Sequence, residues 1–77
     1  RMKMPRTRGF WTSPHEDGSW TVKKIGSSRA ASVHNTQADA WREARRLARG
    51  QGSDAYLRGR DGKIRANNSY GNDPIPL

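Results

Sequence analysis

The sequence has no cysteine, one phenylalanine and few apolar residues, which make up 31% of its 77 positions. Without cysteine, a disulfide framework and a thiolate metal site are both excluded. No apolar run approaches the roughly 20 residues of a membrane span, and the N-terminus lacks the hydrophobic region of a signal peptide. These absences predict a soluble, cytoplasmic protein with no membrane partner. Acidic residues are scarce as well: seven against fifteen Lys and Arg, for a net charge of +8. Such an imbalance implies a polyanionic partner, nucleic acid first (DNA ahead of RNA) and an acidic protein surface second.

A chain this short forms one domain and buries only about 60% of its unfolded surface. Three Trp concentrate its apolar area in few side chains. The expected states are a monomer or a homodimer that shares a core.

What is present is organised around one stretch, Thr36 to Gly50. Thr36 is placed to cap a helix and Asp39 falls in its first turn, where negative charge suits the dipole. Gly50 is placed to take the left-handed conformation that ends a helix, with Gly52 close behind. At about 100° per residue, Leu47, Ala40, Ala44, Ala48 and Trp41 share an arc roughly 120° wide. Arg45, Arg49, Arg42 and Arg46 fall on the other side. Asp39–Arg42 and Glu43–Arg46 are i,i+3 pairs that neutralise part of this stripe. Arg45 and Arg49 have no such partner, so they are the helix's candidates for a polyanion, although an outer helix face is ordinarily just solvated.

The flanking segments read as strands. Phe10 to Glu16 and Ser19 to Ile25 surround Asp17-Gly18, a two-residue hairpin signal. That register pairs Glu16 with Ser19 and His15 with Trp20, and puts Trp11, Trp20 and Val22 on one face. Pro14 predicts that the first strand is an edge. Arg29 to His34 reads as a third strand, leading into the helix. After the helix, Ser53 to Arg60 and Lys63 to Ala66 surround a second signal, Asp61-Gly62. With Gly59 facing Ile64, one side holds Ala55, Leu57, Ile64 and Ala66. The other holds Tyr56, Arg58, Arg60, Lys63 and Arg65, four cations around one aromatic, which suits phosphates plus a stacked base or sugar.

The fold expected is therefore α+β: a small antiparallel sheet of four or five strands in β-β-β-α-β-β order with one helix packed on it. Its core is expected to hold Trp20, Trp41, Val22, Val33, Leu47, Leu57 and Ile64. Residues 1–9 read as a basic, unfolded arm, 10–70 as the domain and 71–77 as a tail in which neighbouring Tyr70 pins the chain to the core. Residues 1–8 hold four of the basic residues and no acidic one. Arg6 and Arg8 of this arm are candidates to lie along phosphates.

Catalysis is not expected. His15 and His34 can approach each other beside Trp20, but a metal or general-base site needs a third ligand that nothing in the sequence supplies. Asp17, Asp61, Asp39 and Asp73 are explained by turns or the helix start. No phosphate loop, nucleophile elbow or zinc spacing occurs, and no cofactor is implied.

Trp20-Thr21-Val22-Lys23, the run from Ser32 to Ala40, Gly59-Arg60-Asp61-Gly62-Lys63-Ile64-Arg65 and Ser69-Tyr70-Gly71-Asn72-Asp73-Pro74 together resemble a family of bacteria and phages, domain of unknown function 2188. The resemblance spans about residues 14–76 and implies a small β-β-α-β-β-like domain with no assigned activity. The Trp-bearing strand and Asn35 to Ala40 are also similar to the DNA-binding domains of the plant AP2 and integrase arm-binding type, to which this chain adds a second hairpin. The combined expectation is a small nucleic-acid-binding protein, contacting duplex DNA mainly through phosphates. The alternative is a protein-interaction module, a phage or mobile-element accessory factor that docks on an acidic host protein.

Overall fold

The computed structural model describes residues 8–70. Arg6 and the tail residues 71–77 lie outside the described residues. The elements run β1 (Gly9–Pro14), β2 (Trp20–Lys24), β3 (Ala30–His34), α1 (Gln37–Gln51), β4 (Asp54–Arg58) and β5 (Ile64–Ser69). They form a five-stranded sheet in the order β3-β2-β1-β4-β5 with α1 across one face. The α+β class and element order are those expected. The sheet is mixed, however: β1 and β4 pair in parallel, while the other pairs are antiparallel. α1 causes this, because it carries the chain from edge strand β3 over β2 and β1 to the far side of the sheet.

The helix ends follow from local chemistry. The Thr36 hydroxyl accepts from the Asp39 N–H at 3.1 Å. At the other end the left-handed residue is Gly52, not Gly50, which stays helical. Ser53 N–H then reaches Ala48 O at 2.9 Å, so two of the last carbonyls find donors on the exit path. Both expected ion pairs form, Arg42–Asp39 at 3.7 Å and a two-pronged Arg46–Glu43 contact at 2.6 and 2.8 Å. The Arg46 hydrogen bonds hold the Glu43 carboxyl below its ordinary range.

Both hairpins depart from the expected register in the same way. His15 N–H bonds to Ser19 O and Gly18 N–H to His15 O. Gly59 N–H bonds to Lys63 O and Gly62 N–H to Gly59 O in the same pattern. Each loop thus has three residues, Glu16-Asp17-Gly18 and Arg60-Asp61-Gly62, with the glycine at φ 95° and 84°. This is a type I turn closed by a bulge, in which only the third residue needs positive φ. Pro14 therefore faces Trp20 and Trp11 faces Lys23. One residue of slip inverts a whole strand relative to its partner, and Trp11 leaves the face of Trp20 and Val22. In the second hairpin Arg58 faces Ile64, after which a bulge restores Leu57 opposite Ala66.

β1 is the centre of the sheet rather than its edge. Pro14 is tolerated there because β4 pairs with β1 only as far as Thr12, so the donor that proline lacks has no acceptor waiting. Under the helix lie Phe10, Thr12, Trp20, Val22, Ala55 and Leu57, met by Ala40, Ala44 and Ala48 of α1. The alanines let the helix sit close to the sheet. Trp41, Leu47, Ala66 and Tyr70 pack at the margin, Tyr70 as expected. Val33 and Ile64, expected in the core, are 61% and 57% exposed. They lie on the face that the helix does not cover.

The first turn carries a pH-sensitive contact. The Asp17 carboxylate accepts from the Ser19 hydroxyl at 2.6 Å and the Ser19 N–H at 3.0 Å, and His15 lies 3.1 Å away. These bonds, that of the Ser19 side chain first, lower its pKa to about 2. A depressed carboxyl stabilises the folded turn above its unfolded pKa, and that contribution is lost as pH falls through the folded value. The Ser19 amide resonance is therefore expected to hold its position down to pH 4 and to shift with a midpoint near 2. In Asp17→Asn this titration should be missing; a midpoint near 4 in the parent chain would exclude the contact.

Candidate nucleic-acid interface

The sheet has one open face, and its centre is aromatic. Trp11 of β1 and Tyr56 of β4 are directly paired in the parallel ladder. Their rings stack at 4.8 Å between centroids with 27° between planes. Arg58, two residues along β4 on the same face, lays its guanidinium 4.2 Å from the Trp11 ring centroid. Its buried Nε has no hydrogen-bond partner. Lys23 projects from β2 directly opposite Trp11 and is exposed. Tyr56 donates to the Asp54 carboxylate at 3.2 Å, and Ser69 donates to its other oxygen at 2.7 Å. A shallow groove runs over Trp11 between Lys23 and Arg58, closed at one end by the Lys24–Ser27 turn.

The cations expected around Tyr56 do not gather there. Arg58 shares its face. Arg60 instead lies over Trp20 on the helix side, 5.0 Å from the ring centroid. Arg65 crosses over Gly59, also on the helix side, with Asp61 at 3.8 Å. Lys63 sits in the turn, its N–H bonded to Asp61. The reason is the three-residue loop: the added residue and the compensating bulge move Arg65 to the face opposite the expected one.

Arg45 and Arg49 lie on α1, across the domain from the open face. They are not merely solvated: Arg45 covers Trp41 at 5.4 Å and Arg49 covers Tyr70 at 5.5 Å. Arg8 donates to Gln51 O at 2.8 Å, at the negative end of the helix. The two histidines have separate partners, His15 with Asp17 and His34 with Ser32 at 2.8 Å. Among the described residues no group of three His, Asp or Glu side chains is placed to hold a metal. Among the same residues no helix is long and apolar enough to cross a membrane.

Trp11 and Lys23 are the residues of this face that sequence reasoning did not place among the nucleic-acid-binding candidates. The signal was present in Glu16-Asp17-Gly18, which permits a three-residue turn as readily as a two-residue one.

Fold and site together define a two-layer α+β domain with a helix on one side and an aromatic, basic sheet face on the other. Residues 10–70 match the family described as "uncharacterized protein conserved in bacteria" (DUF2188), and the chain belongs to that family. Comparison with curated proteins and with solved structures found no match.

Proposed function

We propose that this domain binds nucleic acid in the bacterial cytoplasm, through the open face of its sheet. The observation that carries the reading is the Trp11–Tyr56 stack with the Arg58 guanidinium laid against it. Aromatic rings at the centre of an uncovered sheet, next to cations, offer stacking and phosphate contact at one place. Lys23, Lys24 and Arg58 border the same groove. The net charge of +8 supplies the long-range attraction for a polyanion. Of the four hairpin cations expected to meet duplex phosphates, Arg58 alone borders this groove. Arg45 and Arg49, on the far side, cannot contact the same short strand.

The test is a titration of labelled 20-nucleotide DNA and RNA, single-stranded and duplex, between 50 and 200 mM salt. About three phosphate contacts predict a log–log slope of about −2 to −3. Lys23→Ala/Arg58→Ala should weaken binding and flatten the slope by about 1.5, whereas Arg45→Ala/Arg49→Ala should change it far less. Absence of binding at the lower salt would end this reading. It would favour the second one, docking of an acidic protein, for which exposed Val33 and Ile64 on the same face provide apolar anchors.

A further inference from the structure

We infer that the nucleic acid taken by this face is single-stranded, and that one unpaired base lies in the groove over Trp11. This rests on the nucleic-acid reading above and names the ligand of that site more closely.

Trp11 is on the central strand, its ring held within the sheet face by Tyr56 and Arg58 rather than carried on a projecting loop or helix. A duplex keeps the π-faces of its bases inside the stack and offers a broad sheet only its phosphates and groove edges. Rings held within a broad sheet face, and not on a wedge that enters the stack, cannot reach those π-faces. An unpaired base can enter a shallow groove, and every base has a π-face for an aromatic ring or a guanidinium. The lining of the groove has the chemistry for such a base and its phosphate. Trp11 borders it, Lys23 and Arg58 flank it, Ser13 adds a hydroxyl, and Lys24 stands at the turn where a phosphate can follow.

Charge arithmetic points the same way. Lys23 and Arg58 on this face, with Lys24 at the end of the groove, neutralise few phosphates, which alone gives weak, salt-sensitive binding. A stacked base adds about 5- to 150-fold in affinity and depends little on salt. The open face has the aromatic surface for the second contribution and lacks the charge to rely on the first.

The experiment uses the full chain and three labelled 12-nucleotide DNA probes: a single strand, its duplex, and an abasic strand that keeps the phosphates without the bases. The single strand is expected to bind at least about tenfold more tightly than the other two. Trp11→Ala should remove about that factor for the single strand and leave the abasic probe and the salt slope unchanged. Trp11→Phe keeps a stacking ring and should retain most of the affinity. Circular dichroism separates loss of stacking from loss of fold, and Trp11→Phe keeps the test valid if the alanine variant unfolds. Equal binding of all three probes by the parent chain would overturn the inference and leave a phosphate-only nucleic-acid reading standing. A folded Trp11→Ala chain that keeps the parent's preference for the single strand over the abasic probe would overturn the assignment of the stacked base to Trp11. Failure of every probe to bind would instead remove the reading on which it rests.

Discussion

Phe10→Ala is expected to cost about 3–5 kcal/mol, the range for emptying a buried aromatic site. Phe10 is 3% exposed, on the central strand and under the helix. Its cross-strand neighbours are Lys24 and Ala55, and the helix meets it with alanines. None of these short or charged side chains can expand to fill the hole. A chain of this length holds about 4–11 kcal/mol in total, so the loss consumes much of it. Urea denaturation followed by circular dichroism should show a midpoint lowered in proportion to that loss, with no folded baseline if the parent lies at the bottom of the range. Phe10→Leu, which keeps most of the volume, should cost less than about 2 kcal/mol. If Phe10→Ala unfolds within about 1 kcal/mol of the parent, the core is not centred on β1.

Gly9→Ala is expected to cost about 2–4 kcal/mol, although it adds a single methyl group. Gly9 has φ 148°, which other residues rarely adopt. A Cβ there would stand 2.7 Å from the Asp54 carbonyl oxygen, a backbone atom of the parallel partner strand, and 3.1 Å from Ile25 Cδ1. The strand cannot move aside, because Gly9 O also accepts the Ile25 N–H at 2.9 Å. Gly59→Ala is the matched control. Its added Cβ meets only the Arg65 side chain, which can swing into solvent. That variant should cost less than about 1 kcal/mol, and its Trp11 site should be undisturbed. Equal costs for the two glycines in a urea series would show that β1 and β4 do not approach as described.

The different fates of these residues show how far the sequence could be read. The helix was legible almost residue by residue, because its cap, ion pairs and alanine face depend on spacings of three and four along one segment. The strands were legible as segments but not in register. Asp-Gly allows a two- or a three-residue loop, and the choice decides on which side of the sheet every neighbouring side chain falls. That single ambiguity put Trp11 with Trp20, placed Arg65 beside Tyr56, and sent Ile64 to the core.

Composition and local spacing were enough for a small basic α+β domain of four or five strands and one helix, for the Thr36 cap and for where the chain turns. Which strand is central, that β1 and β4 run parallel, and which aromatic faces outward emerge in the folded sheet alone, because they depend on contacts between residues far apart in the chain. Gly9 meets Asp54 and Trp11 meets Tyr56 across β1 and β4, and no local propensity encodes a pairing made only after the helix has carried the chain across the sheet.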